Sequence, residues 1–547
     1  MRGAELLAPA GAALGSVAAA LAEGVGALAQ AEGDGRPLRL RFYDSFDGRL
    51  HAAGLLLVHR DDDRPDGRLL LLERDSGRTR ASLPHPPLVA PTLALELPGG
   101  ALRKELARVL DVRALLQLAE LCARTVPLTL RDELGRAVAR GELLEPVANG
   151  AAVAPRVRLA LAPLRGLEGE LSRLRGRLLE LGFAPAPRLL VDELVLARGG
   201  SPGGVSSKVS VELVSGQRAD AAAVAVLRRL AEVMDRNREG ACAGVDPEFL
   251  HDFRVALRRT RSVLRQLREV FPPAERERFR AELRWLQRAT GPARDLDVYV
   301  LEWPATSELV AEPWRALLEP VAAALRDRRE LARRDCAAAL TGERALRLRA
   351  DWAELLDRLV SLPDDQRPAA ARPIGELAGE RIRRVYRRMV KRGRAIGPDS
   401  PPSEYHELRK QGKELRYLLE LFGRPLFSER SVLPLIDALK RLQNVLGRHQ
   451  DREVQIAMLR SLADELAGRE RSGIAQGGER RGAVEGGERR GAVEGGELPG
   501  GAQTLLATGV LIARLHDDEL AARAEFERAF VRFASKRVRR LVRETFR

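Results

Sequence analysis

Cysteine is scarce in this chain of 547 residues: Cys122, Cys242 and Cys336 stand far apart. None of the short spacings that build zinc sites or disulfide frameworks occurs, so a reducing, cytoplasmic setting is the simplest expectation. Aromatic side chains make up only 4%, too few for the stacked platforms that hold single-stranded nucleic acid. Long apolar runs are also missing, and no stretch approaches a membrane span. Leu6 to Ala31 is Ala/Gly-rich and contains Ala27-Leu28-Ala29, which has the form of a signal-peptidase site. Glu5 offsets Arg2, Glu23 interrupts the run, and alanine is a weak hydrophobe, so a processed leader is the lesser reading.

What the chain has in excess is positive charge, a formal +15 with a pI near 10.4. The surplus is mainly arginine, whose planar fork matches phosphate oxygens in pairs and never deprotonates. That balance points to a polyanionic partner. The length exceeds one ordinary core, and roughly two to four domains are expected.

Residues 38–100 alternate apolar and polar with turn signals between, as in Leu38-Arg39-Leu40-Arg41-Phe42 and Gly67 to Glu73. This predicts strands. Val126 to Arg136 reads as a hairpin, whereas Ala101 to Ala123 and Arg165 to Leu181 carry helical spacing. The N-terminal part, 1–214, is therefore expected to be α+β. After a Gly/Ser/Pro segment around Arg198 to Ser207, residues 219–547 read as all-α. A nine-residue unit from Gly478 to Gly486 repeats in tandem, and residues 472–501 are expected to be a disordered Gly/Glu/Arg insertion.

In the helical part, His251-x-x-Arg254-x-x-x-Arg258-x-x-Arg261 recurs as His406-x-x-Arg409-x-x-x-Lys413-x-x-Arg416. At about 100° per residue the four positions share less than a quarter of the helix circumference and make one positive ridge. Phe253, Ala256, Leu264 and Leu267 fall roughly opposite the first ridge, and Leu408, Leu415, Leu418, Leu419 and Phe422 opposite the second. The cations are therefore expected to face outwards. Arg381, Arg384, Arg388 and Lys391 repeat the spacing with arginine in place of histidine. Like charges so spaced cost a few tenths of a kcal/mol each, so three uncompensated ridges predict a bound anion and a common channel. Arg265 and Lys440 are taken with them as candidate contacts. The repeat extends to Leu286-Gln287-x-x-x-Gly291-x-x-x-Asp295-x-Asp297-Val298 and Leu442-Gln443-x-x-x-Gly447-x-x-x-Asp451-x-Glu453-Val454. Copy one is placed at about 219–345 and copy two at about 370–547.

Other chemistries fit less well. His251-Asp252 has the form of half a metal-dependent phosphohydrolase pair, but the second copy reads His406-Glu407 and no further histidine stands at ligand spacing. A phosphorylated histidine lacks a visible acid/base partner. The imidazoles are better suited to donating to phosphate oxygens, more strongly when protonated, with local packing as the plain alternative. Asp295 and Asp451 suit a helix N-cap or a carboxylate that orients a nearby arginine better than a metal site. No metal or cofactor is expected.

The duplicated stripe and the Leu-Gln-x-x-x-Gly-x-x-x-Asp element closing each half resemble the CHAD domain, the conserved-histidine α-helical domain, over 219–547. The resemblance implies two pseudo-symmetric helical bundles around a basic pore that binds inorganic polyphosphate, with His251, Arg254, Arg258, Arg261, His406, Arg409, Lys413 and Arg416 on the motif positions. Tyr43-Asp44-Ser45-Phe46-Asp47-Gly48-Arg49-Leu50-His51 resembles the second-strand signature of CYTH, or triphosphate-tunnel, domains, and Leu130 to Arg136 and Ser206-Ser207-Lys208 fit later elements. That family opens on a Glu-x-Glu-x-Lys strand whose carboxylates hold divalent metal; here only Glu5 stands near that place. The expectation is a degenerate, catalytically inactive tunnel domain fused to a polyphosphate-binding, granule-associated CHAD domain. An inorganic triphosphatase and a nucleic-acid-binding protein are the alternatives.

Overall fold

An extended strand leaves its N–H and C=O groups to be paired by neighbouring strands, and the N-terminal strands pair in one antiparallel sheet. The computed structural model describes residues 5–25, 28–29, 35–61, 67–131, 135–147, 156–164, 168–397, 399–481 and 500–547. The chain divides into two compact units, Met1–Ser207 and Lys208–Arg547.

In the first unit the strands are β1 (Glu5–Leu7), β2 (Leu28–Ala29), β3 (Arg36–Asp44), β4 (Leu55–Asp61), β5 (Arg68–Glu73), β6 (Thr79–Pro84), β7 (Thr92–Leu93), β8 (Ala114–Arg131), β9 (Ala137–Pro146), β10 (Arg158–Pro163) and β11 (Ala184–Pro185). The main path runs β11-β1-β10-β9-β8-β3-β4-β5-β6, with β2 and β7 paired to β8. Helices α1 (Leu14–Val25), α2 (Arg49–Ala52), α3 (Ala101–Leu110), α4 (Glu168–Glu180) and α5 (Leu190–Ala197) accompany the sheet. Leu14, Val17, Leu21 and Val25 of α1 are buried against Leu128, Leu143 and Leu159 of the sheet, so this helix of the Ala/Gly-rich stretch packs into the core of the first unit.

One prediction fails here. The helical spacing of Ala101 to Ala123 holds only as far as Leu110, and from Ala114 the chain is strand. Leu- and Ala-rich sequence prefers helix weakly, by tenths of a kcal/mol per residue. Pairing with β3 from Arg36↔Thr125 to Asp44↔Leu116 and with β9 from Ala123↔Pro146 overrides that preference.

The second unit contains α6 (Ala219–Ala243), α7 (Pro247–Gln266), α8 (Pro273–Ala289), α9 (Gly291–Ser307), α10 (Glu312–Ala316), α11 (Glu319–Thr341), α12 (Glu343–Arg358), α13 (Ile374–Gly393), α14 (Pro402–Leu418), α15 (Arg424–Leu426), α16 (Glu429–Arg481), α17 (Gly500–Phe533) and α18 (Lys536–Thr545). The first residues of α6, α7 and α8 recur as those of α13, α14 and α16 at offsets of 155, 155 and 156, the helical form of the sequence repeat. The copies meet through equivalent residues: Ala219 N–H donates to the Arg372 carbonyl at 2.9 Å, and Ile374 N–H to the Gln217 carbonyl at 2.8 Å. Such reciprocity is what a local two-fold relation produces.

The copies differ at one joint. Pro292, at the start of α9, cannot donate and clashes with the carbonyl four residues earlier, so α8 and α9 separate. The second copy has Arg448 at that place, and α16 runs through without a break. Of the expected 472–501 insertion, residues 472–481 continue α16 and residues 482–499 lie outside the described residues.

Candidate functional site

The apolar stripe of each repeat helix buries itself first and thereby decides where the cations go. Phe253, Ala256, Leu257 and Leu264 of α7 and Leu408, Leu415 and Leu418 of α14 are all core residues. The polar faces of α7 and α14, with α8, then enclose a cavity of about 520 Å³. Arg258, Arg261, Arg265, His406, Arg409 and Lys413, all candidates from the sequence, line it. Arg280 and Arg284 of α8 and Lys410 of α14 join them, and these the sequence reading missed. A second cavity of about 400 Å³ is lined by Arg265, Arg381, Arg384 and Arg388 together with Arg268 and Lys410. Arg265, Lys410 and Glu414 belong to both linings, so the three ridges do converge on adjoining spaces.

The electrostatics of the first cavity are those of an unmet demand for anion. Among the described residues Arg258, Arg261, Arg284 and Lys413 make no ion pair, and the Arg258 Nε is buried without a hydrogen-bond partner. Burial, then the charges of Arg409 and Arg258, lower the Lys413 pKa to about 8. Burial, followed by Arg284, Arg265 and Arg280, presses the Arg261 pKa down as well. Burial and mutual repulsion make these cations costly to hold together, and an anion entering the cavity relieves both.

Two expectations are corrected. The stripe does not face outwards throughout: Arg254 is 7% exposed and donates to the Gln287 carbonyl at 2.8 Å and to Thr290 Oγ1 at 2.9 Å. The Gln287 carbonyl lies in the last turn of α8, and Thr290, whose hydroxyl itself donates to the Leu286 carbonyl at 2.9 Å, is the residue that caps that helix at its C-terminus. Arg254 is thus a helix cap, with a pKa lowered to about 10 by burial and then by Arg258. Its counterpart Arg409 meets a continuous helix with no free carbonyl, lines the cavity and pairs with Asp451 at 3.2 Å. The third ridge is not uncompensated either. Arg381 is buried on Glu269 at 2.7 Å, Arg384 pairs with Glu380 at 2.9 Å, and Arg388 with Glu414 at 3.0 Å.

His251, Lys391, Arg416 and Lys440 line neither cavity. Arg416 is held by Glu420 at 2.6 Å, and Lys391 and Lys440 are exposed on α13 and α16. His406 Nδ1 is bonded to Gln450 Oε1. Asp295 and Asp451 lie inside α9 and α16 rather than at an N-cap, and Asp451 has the arginine-orienting contact.

In the first unit, Glu5 accepts from Arg158 Nη1 at 2.9 Å and from the Leu190 N–H at 2.9 Å. The signature around Tyr43 is a turn held by its acids. Asp44 accepts from the N–H groups of Ser45, Leu50 and His51 at 2.7, 2.9 and 2.9 Å, and Asp47 pairs with Arg49 and Arg113 at 3.1 and 3.3 Å. Gly48, at φ 66°, lies under Gly203, whose carbonyl oxygen a Cβ there would meet at 2.1 Å.

The second unit is defined by these features as a duplicated α-helical domain with a cationic interior. Residues 225–460 match the family model of the CHAD domain, and this stretch is a CHAD domain. A Mycobacterium tuberculosis protein described as uncharacterized is 31% identical over 316 residues, 55% of this chain and 56% of that protein. The chain thus spans little more than half the length of the curated relative it matches. Among solved structures, the CHAD domain from the plant Ricinus communis is 23% identical, with a TM-score of 0.45 over 59% of this chain and 95% of that one. A Hippeastrum protein described as a candidate adenylyl cyclase with dominant triphosphatase activity is 16% identical, with a TM-score of 0.26 over 36% of this chain and 94% of that one. No helix among the described residues is long and apolar enough to cross a membrane.

Proposed function

We propose that the CHAD domain holds inorganic polyphosphate in the adjoining cationic cavities, and that the protein acts by binding rather than by catalysis. The observation that carries this reading is the group of four cations, Arg258, Arg261, Arg284 and Lys413, that face one cavity from α7, α8 and α14 without an ion pair among the described residues. A linear polyanion presents closely spaced phosphates with no bases to read, and charge-assisted bonds to several of them answer that group. On this reading the protein resides on polyphosphate granules.

The test is a titration of the full chain with polyphosphates of defined length at two salt concentrations. Affinity should fall steeply with salt, because binding releases counterions. Replacing Arg258, Arg261 and Lys413 together by alanine should weaken binding at least about tenfold, each charge-assisted bond being worth on the order of 1.5 kcal/mol or more. Unchanged affinity in that variant would sink the proposal. Duplex DNA at matched phosphate concentration should compete poorly, since a cavity of about 520 Å³ admits a single phosphate chain but not a double helix whose major groove alone is about 12 Å wide. For the first unit we propose no triphosphatase activity: Glu5 is engaged by Arg158 and the Leu190 amide. Release of phosphate from tripolyphosphate that depends on Mg²⁺ or Mn²⁺ and is lost in Glu5→Gln would overturn that part.

A further inference from the structure

Helices α7 and α8 line a second kind of space. Phe253, Leu283 and Leu286, interleaved in sequence with the cations of the basic cavity, join Met234 of α6 and Leu348 and Trp352 of α12 around a cavity of about 400 Å³. All six side chains are buried. The volume lies at the lower end of the roughly 300–1,000 Å³ of ligand pockets, and an apolar wall with few polar groups is their usual lining.

The polar residues of this cavity pair off and leave one over. Arg228 is bonded to Asp357 at 2.7 Å, Arg349 to Asp235 at 2.8 Å, and Arg236 to Glu232. Arg238, four residues beyond Met234 on the same face of α6, makes no ion pair among the described residues, and its Nε is buried without a hydrogen-bond partner. The indole N–H of Trp352 is buried and unbonded too, although the side chain is only 4% exposed. A buried donor left without a partner is unfavourable, and a matching acceptor relieves it. Arg238 and Trp352 both line this cavity, whose other charged side chains are paired with one another.

We propose that this cavity binds an amphipathic monoanion, an apolar body carrying a single carboxylate, with Arg238 and the Trp352 N–H as the donors to the head group. The charge balance selects this class. A neutral apolar molecule leaves Arg238 unmatched, and a cation is repelled by it. A polyphosphate meets an apolar wall and the three acids Glu232, Asp235 and Asp357. The site is separate from the cationic cavities and does not depend on their reading.

Dodecanoate, kept below its micellar concentration, is the probe, titrated calorimetrically into the full-length protein with and without saturating polyphosphate. Saturable binding at one site, unaffected by polyphosphate, is expected. Arg238→Ala should weaken it at least about tenfold, Trp352→Phe should weaken it severalfold while keeping the aromatic body, and Ala345→Trp should abolish it by filling the space. Melting curves identify any variant that fails to fold, and Arg238→Lys, which keeps the charge, should retain part of the affinity. No saturable binding to the native protein, displacement by polyphosphate, equal affinity in Arg238→Ala, or equally tight binding of dodecyltrimethylammonium would each overturn the proposal.

Discussion

Arg259 of the first copy bonds Glu420 of the second at 2.6 Å, and the two positions equivalent to these are in contact as well. The position equivalent to Arg259 is Glu414, and the position equivalent to Glu420 is Arg265; these two meet at 3.2 Å. The helical copies thus face one another across a local two-fold relation in which copy one supplies the arginines and copy two the glutamates. The seam runs beside the cationic cavities, and Glu414 borders both of them.

Among the described residues Glu414 is the one carboxylate that lines both cationic cavities. It is 5% exposed and is held by Arg265 at 3.2 Å and Arg388 at 3.0 Å. Removing its charge frees two guanidinium groups and removes a repulsion from the ligand phosphates. Glu414→Gln should therefore tighten polyphosphate binding by about three- to tenfold at low salt, on the scale of one charge pair near a protein surface, and the gain should shrink as salt is added. Weaker binding in a folded Glu414→Gln protein would mean that the carboxylate is needed to aim Arg265 and Arg388.

Arg254 and Arg409 stand at equivalent positions and should behave differently. Arg254→Ala removes the donor to the Gln287 carbonyl and Thr290 Oγ1 at the end of α8, and urea unfolding should show a loss of about 1–3 kcal/mol. Arg409 pairs with an Asp451 side chain that is 60% exposed, so Arg409→Ala should change stability by less than about 1 kcal/mol and appear as weaker polyphosphate binding. Equal stability losses in the two variants would contradict the capping role of Arg254.

Lys391 and Lys440 provide the reverse test. Lys391 was a candidate from its spacing and Lys440 was taken with the ridges, and both are exposed and line neither cavity. Alanine at either should alter polyphosphate affinity by less than about twofold, the long-range effect of one screened surface charge. A loss as large as that of Lys413→Ala would place the ligand on the outer surface of α13 and α16.

The ridges were legible in the sequence because helical spacing is local: three residues, four residues and an opposing apolar stripe suffice to put Arg258 and Lys413 on a polar face. Whether such a face meets water, a carboxylate or a helix end depends on distant residues. Arg254 became a cap because Pro292 breaks the facing helix, and Arg381 is neutralised by Glu269, which no local pattern ties to it. Arg280 and Arg284 did leave a trace, since with Gln287 they occupy one face of α8. That trace lacked a full recurrence, because Ile436 stands where Arg280 would be expected in the second copy. The helix read over Ala114 to Ala123 failed for a related reason: weak local preference yielded to pairing with β3, which only the fold reveals.

Lys413 gives the proposal a pH signature of definite sign. Its pKa in the ligand-free protein is lowered to about 8 by burial and by Arg409 and Arg258, against about 10.4 for an unfolded lysine. A bound polyanion restores the charge, so binding takes up a proton once the free protein has lost it. Polyphosphate affinity should be flat below about pH 7 and fall as pH rises through 8. Ligand-free stability should move the other way. Between about pH 8 and 10.4 the unfolded chain holds more protons at this residue than the folded one, so the Lys413 contribution rises with pH. Lys413→Arg should flatten the decline in affinity, because a guanidinium keeps its charge across the range. Lys413→Met should remove the corresponding rise in stability. Parallel titrations and urea melts of the three proteins from pH 6.5 to 9.5 measure both trends; an affinity independent of pH in the native protein would exclude Lys413 from the ligand contacts.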